Sequence, residues 1–490
     1  MTTPDRSTQS ELAETHSAVV FFVGDRAYKL KKPVDLGFLD FRDRAVREAV
    51  CHREVELNRR LSPDVYLGVA DVTGPDGALC DHLVVMRRMP PERRLSTLVT
   101  AGADVDADLW HLAHLLAAFH AKAERSPAAD EAAGLDALAA RWADNTAVLR
   151  DHADRFVDPA KVDRAQALVD RYLAGRRDLF ERRIAAGRAV DGHGDLMADD
   201  IFCLHDGPRV LDCIEFDDRY RLGDTLADVA FLAMDLERLG HAELADRFLA
   251  AYREHADDTW PATLAHHHLA YRAHVRAKVS AIRAAQGHEA AAQDVRQLLD
   301  LTLRHLDAGR VRLILVGGLP GTGKSTLAAG LGDVLGAAVL RSDEVRKELA
   351  GLAPTTPAPA PFGEGLYTPA STARTYDTLL ERAAVGLRLG EVVVLDASWM
   401  GPSARAAARL VADRADAELG QLRCEAPPEV TARRMRDRAA AGGDPSDAGE
   451  DIAAAMAATA APWPEATTID TTGQALATRA AALTALDIGL

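Results

Sequence analysis

From residue 18 the chain reads AVVFFVGDRAYKLKK, with apolar β-formers on both sides of a Gly-Asp pair, which predicts two strands joined by a tight turn. Between 41 and 61, Val46, Val50, Val55, Leu57 and Leu61 recur among charged residues at helical spacing, predicting an amphipathic helix. YLGVADVT, the turn GPDG and ALCDHLVVMRRM predict a second strand pair, so a small sheet with one helix opens the chain. From 107 to 189 the period becomes helical, with Leu109, Leu112, Leu115, Leu116 and Phe119 three and four apart. Two short strands around a turn interrupt it at 190–216 (VDGHGDLMADD, IFCL, HDGP, RVLDCIEF), and helices return from 224 to about 307. The adjacent His266, His267 and His268 would point roughly 100° apart on a helix and cannot converge on one ion, so they read as solvated or core histidines.

Near 310 the pattern changes again. VRLILVGG is an almost continuous apolar run of the kind a buried parallel strand needs, and a Gly-rich turn and the helix TLAAGLGDVLG follow. AAVL and EVVVLDASW predict further strands, while APTTPAPAP (353–361) can neither pair in a sheet nor continue a helix and reads as a mobile loop. The pattern therefore divides the chain into 1–306, with a small lobe at about 15–90 and a helical lobe at about 91–306, and 307–490. The junction DAGRV (307–311) sets a glycine between a helical stretch and a buried strand, so a cut there should leave both cores whole.

A chain of 490 residues, at roughly 150 per domain, holds about three compact units, or two if one is large. With 48% hydrophobic and 27% charged residues it can bury substantial cores, and Ala-rich runs such as Ala453–Ala461 favour helix. The net charge of −16 argues against a nucleic-acid coat protein or a basic membrane-surface binder. No apolar run reaches the length of about eighteen residues that a span needs, and MTTPDRSTQSELAE lacks the regions of a signal peptide, so a soluble, cytoplasmic protein is expected. The five cysteines are scattered and form no CxxC pair, which predicts reduced thiols and neither disulfides nor a zinc site.

Gly318-Leu319-Pro320-Gly321-Thr322-Gly323-Lys324-Ser325 fits GxxxxGK[ST], after a buried strand and before a helix, as the mechanism requires. Backbone N–H groups around Gly318, Gly321, Thr322 and Gly323 would curl about the β-phosphate, and the helix start at Thr326 adds positive potential. Lys324 would bridge β- and γ-phosphates, and Ser325 would ligate Mg²⁺. Downstream, Arg341-Ser342-Asp343-Glu344-Val345-Arg346 puts an acid and a base at the end of a strand, and EVVVLDASW ends in Asp396, a place for a carboxylate that holds a Mg²⁺ water or the acceptor. Arg433, Arg434, Arg436 and Arg438 precede AAAGGDPSDA, a segment able to close over ATP. GLPGTGKST, RSDEVRKELAG, VVVLDASW and this Arg-rich stretch resemble the small P-loop kinases related to gluconate kinase and to the kinase domain of polynucleotide kinase, over about 310–490. That resemblance implies Asp343 as general base, Arg346 as a substrate or phosphate contact, and Arg434 and Arg438 as lid arginines.

A second constellation lies upstream: His193-Gly194-Asp195-Leu196, then Asp200, a hairpin and Asp212. An Asp can accept a hydroxyl proton, a side chain five residues later can help hold Mg²⁺, and an acid after the next hairpin can take the metal under the phosphates. Lys29 and Glu54 supply the lysine and glutamate that kinase-like enzymes use on the α- and β-phosphates. HGDL, LDCIEF and GDTLADVAFLAMDL resemble the aminoglycoside phosphotransferase family, loosely over 18–300, and the whole chain resembles the bifunctional aminoglycoside phosphotransferase/ATP-binding proteins of bacteria. The resemblance implies Asp195 as catalytic base, Lys29 as the phosphate lysine and Val84 to Arg88 as the connector that receives adenine. This chain departs from the family in having Asp200 where Asn is usual, and its spacing leaves Glu215 or Asp217 as alternatives to Asp212 for the metal, as Lys31 is to Lys29.

The expected fold is an α+β protein-kinase-like two-lobed domain followed by an α/β P-loop NTPase domain with a parallel sheet. The expected function is ATP- and Mg²⁺-dependent transfer of phosphate to a hydroxyl of a small molecule, whether sugar, amino sugar or aminoglycoside, with a second ATP-binding kinase domain. Two other classes compete: a nucleotide-binding regulatory or toxin-like protein with one degenerate domain, for which Asp200 speaks, and a polynucleotide 5′-hydroxyl kinase, against which the charge of −16 weighs.

Overall fold

The computed structural model describes residues 11–14, 18–35, 40–152, 155–359, 361, 363–441, 445–446 and 448–489. Its contacts divide the chain into two compact units, the first made of Met1–Val157, Arg182–Thr259 and His268–Thr302, the second of Asp158–Glu181, Trp260–His267 and Leu303–Leu490. The second unit therefore takes in Asp158–Glu181, Trp260–His267 and residues 303–306, all of which the strand and helix pattern assigned to the first.

In the first unit, β1 (Glu11–Glu14), β2 (Ala18–Val23), β3 (Arg26–Lys31), β4 (Tyr66–Thr73) and β5 (Leu79–Arg87) form an antiparallel sheet in the order β1-β2-β3-β5-β4. Alternation along the strands sends Ala27, Val84 and Met86 to one face, where Cys51 and Val55 of the Arg44–Asn58 helix close the core. That helix starts at Asp43, whose carboxylate accepts from the Ala45 backbone N–H. The helical part includes Asp106–Lys122, Leu135–Asp151, Thr225–Arg238 and Ala242–His255. Set among these helices are two small antiparallel pairs, β6 (Ala189–Asp191) with β9 (Leu222–Asp224) and β7 (Ile201–Leu204) with β8 (Gly207–Val210). The β7–β8 hairpin is the one the sequence predicts; the three-residue strands β6 and β9 are too short to leave a pattern.

In the second unit, β10 (Arg312–Gly317), β11 (Ala338–Arg341), β12 (Val393–Asp396), β13 (Glu418–Glu425) and β14 (Thr467–Asp470) form a parallel sheet in the order β11-β12-β10-β13-β14. All six residues of β10 are buried, which is why after Arg312 its sequence is a run of apolar residues and glycine that does not alternate. Ile314 and Val316 pack with Leu327 and Leu331 of the Lys324–Leu335 helix and with Val394, Leu422 and Ile469 of the neighbouring strands. The described residues of 353–361 form no helix or strand. Among the described residues no helix is long and apolar enough to cross a membrane.

Candidate active sites

Strand alternation puts Lys29 and Lys31 on one face of β3, and Glu54 of the Arg44–Asn58 helix meets both. Glu54 is fully buried; its Oε1 lies 2.9 Å from Lys29 Nζ and its Oε2 2.6 Å from Lys31 Nζ. Each lysine has a second carboxylate, Asp212 for Lys29 at 2.5 Å and Glu215 for Lys31. Burial alone would lower both lysines, but the carboxylates of Asp212, Glu54 and Glu215 hold Lys29 well above its usual value, and Glu54 and Glu215 raise Lys31. The two differ in access: Lys31 is 1% exposed and closed in, whereas Lys29 faces Asp212, whose side chain is 48% exposed. Of the three candidate metal acids, Asp217 is turned away, held by Arg219 at 2.6 Å, and Glu215 is spent on Lys31.

The HGD segment follows β6 in an irregular loop that a single carboxylate organises. Asp228, one turn into the Thr225–Arg238 helix, accepts from the backbone N–H groups of His193 and Gly194, both at 2.8 Å, and from His120 Nε2 at 3.0 Å. Against the cost of burial, these donors hold the Asp228 carboxyl far below the ordinary range. Gly194 has φ +90°, and a Cβ there would stand 2.8 Å from the Tyr220 carbonyl, so the turn before Asp195 requires glycine twice over. His193, pushed down to about 4 by burial, stays neutral and reaches the Leu211 carbonyl at 3.1 Å, tying the loop to the hairpin. Asp235 does the same for the next turn, accepting from Ala198 N–H at 2.9 Å.

Asp195, Asp200 and Asp212 act on one another electrostatically. Burial pushes the Asp195 carboxyl up to about 6, with Arg276 pulling against it and Asp212 adding to it. Burial and the charges of Asp212 and Asp195 hold Asp200 well above a normal carboxylate. Asp212 goes the other way, kept low by Lys29 against a partial loss of solvent, and its backbone sits at φ +64°, a strained setting of the kind that collects at functional sites. A divalent cation suits this group, since it would relieve the repulsion that raises Asp200. Among the described residues no three ligating side chains converge on one point.

Beside Asp195 opens a cavity of about 420 Å³, within the range of small-molecule pockets. The Ala262–Ala285 helix lines one wall with Arg272, Val275, Arg276 and Val279, and Phe216, Tyr220 and Tyr271 contribute aromatic surface.

In the second unit the glycine-rich turn leaves β10 and enters the Lys324–Leu335 helix. Gly318, Gly321 and Gly323 have φ of +139°, +79° and +84°, and a Cβ on Gly321 would lie 2.7 Å from the Thr431 carbonyl, so the curled backbone depends on bare glycine. Thr322 Oγ1 donates to the Leu319 carbonyl at 2.7 Å, closing the loop. Lys324 and Ser325 are half-buried and Thr326 is exposed at the helix start. Asp396 pairs in register with Val316 at the end of β12; it is 3% exposed, Arg341 Nε donates to its Oδ2 at 3.3 Å, and its Oδ1 has no hydrogen-bond partner among the described residues. That buried, unmatched oxygen next to the phosphate loop suits a metal-bound water.

The candidate arginines do not all converge. Arg434 reaches the phosphate loop, donating to the Thr471 carbonyl at 2.6 Å and the Gly321 carbonyl at 3.5 Å, whereas Arg438 donates to the Ala448 carbonyl at 2.6 Å. Residues 442–444 and 447 of the segment AAAGGDPSDA lie outside the described residues. Asp343 is half-buried at the start of the Ser342–Leu349 helix. Arg346 is occupied, donating to the Leu366 carbonyl at 3.0 Å and Thr372 Oγ1 at 3.2 Å, with Tyr367 stacked 4.8 Å away. Sequence reasoning missed Asp228, His120 and Thr471. Asp228 stood inside GDTLADVAFLAMDL, but only the fold reveals its partners, and Thr471, donating to Thr322 O at 2.7 Å, left no signal beyond a polar DTT after the last strand.

Residues 8–266, more than half of the chain, match the phosphotransferase enzyme family, and residues 313–463 match the AAA domain family. Over 463 residues the chain is 45% identical to the uncharacterized protein Rv2004c of Mycobacterium tuberculosis, covering 94% of this chain and 92% of that one. Among solved structures, a choline/ethanolamine kinase family protein from Mesorhizobium loti is 16% identical (TM-score 0.39, 62% of this chain, 93% of that one). A sugar kinase from Janibacter sp. is 21% identical (TM-score 0.29, 36% of this chain, 96% of that one). The first unit is a protein-kinase-like phosphotransferase domain and the second a P-loop kinase domain.

Proposed function

We propose, from the premise that this chain belongs to the phosphotransferase enzyme family, that its first unit transfers the γ-phosphoryl group of ATP to a hydroxyl of a small sugar-like molecule bound beside Asp195. The observation that carries this reading is a base candidate with its carboxyl pushed up to about 6, bordering a cavity of about 420 Å³. Asp195 takes the hydroxyl proton as the acceptor oxygen bonds to the γ-phosphorus and the bond to the β-phosphate oxygen breaks, releasing ADP. Lys29, oriented by Glu54, binds the nucleotide phosphates, while Lys31 keeps Glu54 in place. Asp200 and Asp212 are the residues that would hold Mg²⁺, which when bound neutralises charge on the transferring phosphates. Asp228 is a positioning residue that fixes the loop before Asp195.

In the second unit Lys324 and the turn around Gly321 and Gly323 cradle a second ATP. Ser325 and Asp396 are the residues suited to its Mg²⁺, and Arg434 sits at the phosphate loop. Asp343 is the base candidate there. The test is a mass-spectrometric screen of hydroxyl compounds for ATP-dependent gain of one phosphate, comparing wild type with Asp195→Asn and Lys324→Ala. Products that persist in Asp195→Asn but vanish in Lys324→Ala belong to the second unit; a screen in which every product survives Asp195→Asn refutes the role given to the first.

A further inference from the structure

We propose, resting on the reading of Asp195 as the acceptor-side base, that the first unit's acceptor carries an oxyanion, a carboxylate or a phosphate, which Arg276 binds with help from Lys278 and Arg141. The cavity beside Asp195 is lined by six cationic side chains and four acidic ones. Two of the four acids are already spent: Asp224 is bound to Arg183 at 2.7 Å, and Asp228 to His120 and two backbone N–H groups. Two of the cations are spent as well, Arg219 on Asp217 at 2.6 Å and Arg221 on Asp191 at 2.9 Å.

Four cations remain against Asp195 and the exposed Asp144, and among the described residues none of the four makes an ion pair with a carboxylate, although Arg276 and Arg272 act on Asp195 through their charge. Among the described residues Arg141 donates to the Ala132 carbonyl at 2.9 Å, and Arg272 to the carbonyls of Ala227 and Gly194 at 2.9 and 3.3 Å. Lys278 donates to Asn145 Oδ1 at 2.6 Å. Arg276 has no hydrogen bond or ion pair among the described residues, so its whole donor fork is free. Cations withdrawn from water are costly unless closely paired, and burial lowers both Arg272 and Lys278 against the opposing pull of Asp228 and Asp195 on the first and of Asp144 on the second. A guanidinium fork matches the two oxygens of a carboxylate or phosphate, so one oxyanion on the acceptor would satisfy Arg276 and bring charge to its neighbours together. A polycationic acceptor meets the opposite: an excess of positive charge at the wall nearest Asp195. Tyr220, Tyr271 and Phe216 offer the apolar surface on which a sugar ring can lie.

The experiment is titration calorimetry on the full chain carrying Asp195→Asn, with D-gluconate and D-ribose 5-phosphate as oxyanion probes, D-glucose as the neutral one and kanamycin as the polycation. The component of interest is the one that Arg276→Glu abolishes and Arg276→Lys largely keeps, and circular dichroism monitors the fold of each variant. We expect an oxyanion probe to bind, with affinity reduced about tenfold to a hundredfold in Arg276→Gln. Gluconate above ribose 5-phosphate, or the reverse, identifies carboxylate or phosphate. The proposal is overturned if neither oxyanion binds at millimolar concentration, or if kanamycin or glucose binds more tightly and Arg276→Glu strengthens it. Wild-type turnover keeps the two readings apart: anion binding without phosphoryl transfer defeats the kinase reading alone, while transfer to kanamycin defeats the oxyanion alone.

Discussion

Replacing Asp228 by asparagine should loosen the loop that carries Asp195 without touching nucleotide binding. The carboxylate accepts from His193 N, Gly194 N and His120 Nε2 at 2.8, 2.8 and 3.0 Å. An amide keeps one accepting oxygen and turns an NH₂ group toward the remaining donors, so at least one buried N–H loses its partner and meets another donor. Hydrogen bonds to a charged acceptor contribute about 1.5–3 kcal/mol each, which puts the loss at about 3 kcal/mol or somewhat more. By the tenfold-per-1.4 kcal/mol rule, exchange of the His193 and Gly194 amides through local opening should then speed up on the order of a hundredfold. Hydrogen-exchange mass spectrometry on a peptide spanning 190–197 reads this directly. Because a displacement of about 1 Å can cost on the order of a hundredfold in rate, acceptor-dependent transfer should fall by a similar factor while the KM for ATP stays within about twofold. Amides as protected as in wild type, together with unchanged kcat, would refute the idea that Asp228 holds the loop; a rise in ATP KM with kcat intact would place its influence at the nucleotide.

Three further outcomes are expected. Gly175→Ala should destabilise the second unit by about 2 kcal/mol or more, because a Cβ there would stand 2.2 Å from the Ala415 carbonyl; a thermal transition unmoved from wild type would contradict this packing. Beginning the second unit at 305 should leave it less stable than the full chain, since this removes Arg176, fully buried with its guanidinium on the Leu387 and Ala415 carbonyls at 2.5 and 2.8 Å, and urea titration of a 305–490 fragment tests it. Acid should weaken the first unit through His274, which burial pushes down to about 3: below the unfolded value of 6.5 the unfolded chain takes a proton the native one refuses, so stability present above 6.5 is lost as pH falls, about 2 kcal/mol by pH 5. His274→Gln should flatten that part of the pH dependence, and a slope identical to wild type would remove His274 as its cause.

Local signals were legible and long-range ones were not. The phosphate loop could be read because its chemistry needs a strand, glycines and a lysine at fixed spacing, all within one turn of chain; Lys29 and Glu54 because each sits on an element with its own period; and the HGD residues because their motif is contiguous along the chain. Choosing Asp212 over Asp217 required the fold, since only there does Arg219 occupy Asp217 while Asp212 faces Lys29. Asp228 was hidden for the same reason: its partners lie 34 and 35 residues earlier, a separation no period encodes. The charge of the cavity beside Asp195 was hidden more deeply, because a net charge of −16 says nothing of which cations line one cavity. The membership of Asp158–Glu181 in the second unit was likewise invisible, as a helix pattern does not name the body it packs on.

On the function proposed above, one chain carries two kinase sites, each with its own phosphate lysine. Calorimetric titration of the full chain with a non-hydrolysable ATP analogue in the presence of Mg²⁺ separates them. Two binding events per chain are expected, one removed by Lys29→Ala and the other by Lys324→Ala, each variant keeping the event its partner loses. A single event that either substitution abolishes would contradict it.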